Sequence, residues 1–283
     1  MTGRLLAACA LAGLATPAAA QTWRTLTTAR SLEGPGAVTV NVRYGAGKFR
    51  LASGAGSELY RLQLRYDEDK FTPVREYDAE TRTLRLGIRS VHNGTRVSLG
   101  DRHDRTMPTF DLALSPDVPI ALNLEMGAVE ADADLGGLSI SRVTFRTGAA
   151  QSHLRFSTPN PAACDEMVVE AGASEFHGEQ LANANCDRVT FRGGVGEVDL
   201  DFSGAWRRSM AADINVAIGQ LNLKLPRDVG VEVRLNRVLA SFDAAGFQKR
   251  GSNYYSANFA SARYRLTLNV NATFGGIDVT WLN

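Results

Sequence analysis

Apolar and polar residues alternate along most of this chain. Val38, Val40, Val42 and Tyr44 are interleaved with Thr39, Asn41 and Arg43; Ile120, Leu122, Leu124 and Met126 repeat the pattern, as do Leu266, Leu268 and Val270. A period of two in runs rich in β-branched residues predicts half-buried strands. The alternation breaks at a small residue and then resumes, in Phe49/Leu51, Val198/Leu200, Leu221/Leu223 and Ile277/Val279. Each unit therefore reads as strand, corner, strand, with glycine supplying backbone angles that a side chain would forbid at a tight corner. Helical periodicity is nearly absent.

These units are copies of one another. SRVTFRTGA at 141–149 returns as DRVTFRGGV at 187–195, and the corner residues Gly127, Gly148, Gly172, Gly194 and Ala217 are spaced by 21, 24, 22 and 23 residues. Outlying copies have corners at Gly45 and Thr273. A two-strand unit of this length cannot bury its apolar face alone, whereas stacked units share one core. The expected fold is all-β: a β-solenoid, a parallel β-helix-like stack of two-strand repeats with inserted loops and a hairpin around Asp78-Ala79-Glu80-Thr81.

The polar positions fix a register for that stack. Two residues before the corner, consecutive copies carry Arg146, Glu170 and Arg192; six before it they carry Arg142, Glu166 and Arg188. Stacking in register sets equivalent residues about 4.8 Å apart, so charge alternates up both columns, the favourable arrangement across strands. Cys164 and Cys186 both stand eight residues before their corners. Register stacking brings their Cα atoms within disulfide range, and two cysteines in an exported chain are most simply paired. A zinc site is the rival reading, without a CxxC or a histidine cluster to accompany it.

Candidate chemistry lies five residues after the corners, where the column reads Asp132, His153, His177, Asp199, Asn222 and Asp278. Rows of acids and bases on one sheet face are how parallel β-helix enzymes that cut polysaccharides are built. The same row is also what charge complementarity selects on a solvent-facing stack. A metal bridging His153 and His177 lacks a third strong ligand, so neither a metal nor a cofactor is expected. Phe247, Tyr254, Tyr255 and Phe259 gather among Ser and Asn at 246–264. They form either an adaptable binding loop or a cap over the open end of the stack. His92 and His103, with Asp101 and Asp104, belong to a polar surface excursion.

Residues 1–20, with Arg4, an apolar run and Ala18-Ala19-Ala20, read as a secretory signal peptide cleaved before Gln21. Leu6-Ala7-Ala8-Cys9 fits a lipoprotein box, but lies too early for one unless translation starts upstream. No later stretch reaches the roughly 18 apolar residues of a membrane span. The net charge of +1 argues against nucleic acid or an anionic bilayer as the main partner. The remainder divides into a polar lead-in at 21–36 and a single domain at 37–283, with excursions at about 92–109 and 226–262.

The pattern resembles bacterial toast-rack β-solenoid domains, the group of the LiaF-like cell-envelope response family and related adhesin-like proteins. The resemblance rests on VNVRYGAGKFRLASG at 40–54, FDLALSPDVPIALNLEMGAVEADADLGGLSI at 110–140, LPRDVGVEVRL at 225–235 and GFQKRGSNYYSANFASARYRLTLNVNATFGGIDV at 246–279. It implies an extracytoplasmic, non-catalytic module linked to envelope-stress sensing or adhesion, and it offers no catalytic residues. The expected function is a non-enzymatic binding or scaffold protein, periplasmic or extracellular, with outer-membrane association as a further option, whose partner is an envelope protein or glycan. The alternative is a glycan lyase or hydrolase using the Asp/His column. A self-assembling surface protein growing end to end is a third possibility.

Overall fold

A computed structural model describes residues 22–91, 107–149, 151–173 and 175–282. Its strands, in chain order, begin with β1 Trp23–Ser31, β2 Val38–Ser53, β3 Glu58–Asp67, β4 Phe71–Asp78, β5 Thr83–Ser90 and β6 Thr109–Leu114. They continue with β7 Pro119–Asp134, β8 Ser139–Thr147, β9 Gln151–Arg155, β10 Cys164–Ala173, β11 Glu175–Glu179 and β12 Cys186–Asp201. The last are β13 Met210–Pro226, β14 Gly230–Phe242, β15 Phe247–Arg250, β16 Asn253–Ser256 and β17 Arg265–Leu282. All seventeen join one sheet.

The long strands are two-armed rungs stacked in parallel. From one end the order is β5 with β6, then β2, β7, β8 with β9, β10 with β11, β12, β13, β17 and β14. Equivalent residues face each other: Glu170 lies opposite both Arg146 and Arg192, and Glu166 opposite both Arg142 and Arg188. Cys164 lies opposite Cys186, and the two form a disulfide with Cα atoms 4.1 Å apart. The column six before the corner shares the register, but Arg142 forms its ion pair with Asp165, at 3.9 Å, and not with Glu166.

Each rung turns its apolar set inward. Phe145, Val169, Phe191 and Ile214 make one interior column, all buried. Phe176 bridges Phe145 and Phe191 from the second arm, with ring centroids 6.1 and 5.2 Å apart. Truncating such a ring, as in Phe145→Ala, removes about 3–5 kcal/mol. The corner itself needs bare backbone. Gly219 and Gly275 have φ of 143° and 127°, and a Cβ on either would run into the carbonyl oxygen of the rung beneath.

Where the second arm returns to the next rung, buried asparagines satisfy the backbone. The Asn160 side chain donates to Ile140 O and Ala184 O at 2.8 and 2.9 Å and accepts from the N–H groups of Ile140 and Ala162 at 3.0 and 3.1 Å. Asn183 donates to Phe156 O at 2.8 Å and accepts from Ala205 N at 2.7 Å. A buried turn needs such partners because each unpaired amide or carbonyl costs about 1–3 kcal/mol.

Chain order and spatial order part at both ends of the stack. The stretch at 226–262 is only partly an excursion: β14 within it is a full outer rung, and the C-terminal β17 lies between β13 and β14. Its remainder, β15 and β16, is an antiparallel hairpin on β14. At the other end β2 lies between β7 and the rung made by β5 and β6. The lead-in at 21–36 also contains structure the alternation did not reveal, since β1 pairs antiparallel with β3. The hairpin at 78–83 forms as expected, with Asp78 Oδ1 accepting from the N–H groups of Glu80 and Thr81. The leader with Cys9, and His92, Asp101, His103 and Asp104, lie outside the described residues. The outermost strands carry charge and proline, Arg75 and Pro73 on β4 and Lys249 and Arg250 on β15. Such residues discourage pairing between sheet edges.

Candidate functional site

The Asp/His column assembles in register. Asp132 lies opposite His153, His153 opposite His177, His177 opposite Asp199, Asp199 opposite Asn222 and Asn222 opposite Asp278. The rungs place these side chains on one outward face of the second arm, because their sequence neighbours Ala131, Leu154, Phe176, Val198, Leu221 and Ile277 are buried.

Neighbours within the face engage these side chains. The His153 and His177 rings stack with centroids 4.6 Å apart and planes 15° apart. His177 Nδ1 is 2.8 Å from Asp199 Oδ2, and its Nε2 is 2.9 Å from Glu175 Oε1. Asn222 donates to Asp199 at 2.6 Å and to Glu197 at 3.0 Å, and Gln220 donates to Asp278 at 2.9 Å. Arg155 reaches Asp132 at 3.3 Å and Asp134 at 3.0 Å. Partial burial pushes the Asp134 carboxyl up, but the N–H groups of Gly136 and Ser157, the Ser157 hydroxyl and Arg155 outweigh it and hold the group below the usual carboxylate range.

The aspartates of the column itself stand far apart. Asp132 and Asp199 are three strands apart, about 14 Å at the usual inter-strand distance, and Asp199 and Asp278 are two apart, about 10 Å. Glycosidase carboxylate pairs stand about 5–5.5 or 6.5–9.5 Å apart. Closer carboxylate pairs do occur on the face, Glu175 with Asp199 across His177, Glu197 with Asp199 across Asn222 and Asp132 with Asp134 across Arg155, and each pair is tied up by the side chain it shares. Among the described residues no three His, Cys, Asp or Glu side chains gather as a metal site requires.

A shallow groove of about 730 Å³ crosses the rungs elsewhere. It follows the charged column on the first arm, lined by Arg43, Glu125, Arg146, Glu170 and Arg192, with Gly45, Gly127, Gly148 and Gly172 exposing backbone beside them. Arg43 meets Glu125 at 2.7 Å, and Glu170 meets Arg146 at 2.7 Å and Arg192 at 2.8 Å. The two arginines beside Glu170, Arg146 first, hold its carboxyl below the usual range. The sequence reading missed the Arg43–Glu125 end of this ladder. The two are 82 residues apart, outside the short repeat, and only their shared offset from a corner glycine could have linked them.

The aromatic segment packs against β14 and β17. Phe247 lies against Trp281 and Phe242, with centroids 4.9 and 6.1 Å apart, and Tyr254 lies against Phe242 at 5.0 Å. The Tyr255 hydroxyl donates to Glu232 at 3.0 Å while its ring meets Phe259 edge-on. All four rings are half-buried.

Residues 22–168 match the family described as the N-terminal domain of toast_rack, more than half of the chain. The chain belongs to that family. No curated protein matches the toast-rack chain in sequence. Among solved structures it is similar to a candidate cell adhesion protein from Clostridium sporogenes, at 19% identity over 92% of this chain and 100% of that one, with a TM-score of 0.49. A candidate adhesin from Bacteroides fragilis is similar at 12% identity over 89% and 97%, with a TM-score of 0.32.

Proposed function

We propose that this toast-rack chain is an exported, non-catalytic binding or scaffold module of the cell envelope, serving adhesion or envelope-stress sensing through an envelope protein or glycan. On this reading the parallel rungs are one β-solenoid domain from residue 37 onward, extended at its outer edge by Trp23–Ser31. Family membership and the Cys164–Cys186 disulfide, which suits an oxidising compartment, support it. One observation carries the non-catalytic part: Asp132, His177, Asp199, Asn222 and Asp278 are each engaged by neighbours on the same face. The column then serves as lateral reinforcement of the stack, and Phe247, Tyr254, Tyr255 and Phe259 as its cap.

Purified protein incubated with a panel of envelope glycans is expected to release no reducing ends or unsaturated sugars. Turnover that disappears in Asp132→Ala or Asp199→Ala would establish the glycan-cleaving alternative. Fractionation of expressing cells is expected to recover the chain from the periplasm with Gln21 as its first residue, and a chain confined to the cytoplasm with Met1 intact would overturn the exported reading.

A further inference from the structure

One outward column changes character along the stack. The position after the corner is Ala46, Ala128, Ala149 and Ala173 in four successive rungs, then Val195, Ile218, Phe274 and Leu239 in the next four. The larger four are exposed by 53%, 50%, 46% and 68%, and Val238 beside them by 72%. Alanine at the earlier rungs shows that the corner folds without a large apolar side chain there. The extra hydrocarbon therefore answers no need of the fold, and contiguous exposed apolar patches mark interaction sites.

The flanking columns change in the same place. Two residues before the corner the charges run from Arg43 to Arg192, and beyond lie Asn215, Asn271 and Asn236. These asparagines bond to one another at 2.9 and 3.3 Å. On the other flank stand Gln220, Gly276 and Ser241. Apart from Arg192 and Glu197 in its first rung and Arg237 beside Val238, the row has an uncharged polar border, so covering it desolvates few charges. Its size also speaks to the occupant. Five side chains fall well short of the roughly 20–30 residues a side of a stable protein–protein interface. They suffice for shallow insertion at the apolar boundary of a lipid surface, whose strength follows buried apolar area.

We infer that Val195, Ile218, Phe274, Leu239 and Val238 form a membrane-interface contact that seats against the acyl boundary of a lipid surface and needs no anionic headgroup. Flotation of the full chain with phosphatidylcholine vesicles, at low and at high salt, tests this. The protein is expected to rise with the vesicles at both salt concentrations. Binding strength follows the apolar area buried, so the triple variant Val238→Ser/Leu239→Ser/Phe274→Ser is expected to bind at least about tenfold more weakly. Ala173→Leu, which lengthens the row by one rung, is expected to bind more tightly, and this readout survives if the triple variant fails to fold. Wild-type protein left at the bottom with neutral vesicles, or binding only anionic vesicles at low salt, would overturn the inference. So would light scattering that shows a dimer dissolved by the same substitutions, which would assign the row to a second copy. None of these results bears on the non-catalytic reading, which the glycan assay tests separately.

Discussion

The two halves of the stack share a backbone register and differ in what they turn outward at the corner. From Arg43 to Arg192 the corner carries a ladder of alternating charge beside bare glycines; from Val195 to Leu239 it carries an apolar row bordered by asparagines. The interior is the same kind of aliphatic and aromatic packing throughout. The fold thus constrains the inward columns and the backbone of the corner, while the outward columns are free to diverge and carry whatever distinguishes one face from another.

The halves also place their critical glycine differently, and substitutions can sharpen that contrast. In the charged half a Cβ on Gly127 would strike the Gly45 carbonyl; in the apolar half the equivalent positions hold Ala217, Thr273 and Val238, and Gly219 and Gly275 take over two residues later, as Gly47 also does in the β2 rung of the charged half. Gly219→Ala, which adds left-handed strain to a backbone clash, is expected to cost about 4 kcal/mol in denaturant unfolding. Gly127→Ala should cost about 2–3 kcal/mol, from the clash alone. Ala217→Gly should cost less than about 1 kcal/mol. Equal effects of Gly127→Ala and Ala217→Gly would mean that the corner has one geometry throughout.

The disulfide clamps the rungs on either side of the boundary between the halves. Replacing both Cys164 and Cys186 by Ala opens a loop of 22 residues and is expected to cost about 3 kcal/mol. The smallest effect belongs to the ladder. Glu170 has its carboxyl lowered by Arg146 and Arg192, so its stabilising contribution is complete above the carboxylate's unfolded-state value and is lost as pH falls through the folded one. Glu170→Gln is therefore expected to flatten the acid limb of the stability profile by a few tenths of a kcal/mol, as befits an exposed pair. Asn215→Ala in the uncharged half should leave that limb unchanged.

Much of this architecture was legible because in-register stacking turns a sequence period into a spatial column. Glu170 could be set between Arg146 and Arg192, and Cys164 against Cys186, from their offsets to Gly148, Gly172 and Gly194. The Asp132-to-Asp278 column was equally legible as a row, but its engagement was not: that Asn222 donates to both Glu197 and Asp199, or that His177 is gripped by Glu175, depends on rotamers. Asn160 gave no signal, since nothing local distinguishes an asparagine buried in a return turn from one in an exposed loop. The apolar row escaped as well, because each member is a single residue beside a corner and reads as noise until four rungs are superposed.

Sequence alone determined the all-β class, the two-armed unit, the rung-to-rung register and the cysteine pair, since all of these are set by neighbours one repeat away. Only the tertiary structure decided that β17 enters between β13 and β14, that β2 lies inside the rung formed by β5 and β6, and which outward face is charged and which apolar. Strand insertion is chosen by which edges are left unpaired once the intervening chain has folded, and a surface acquires its character only when distant rungs lie side by side. Both are properties of the assembled stack, which a repeat of about 22 residues does not contain.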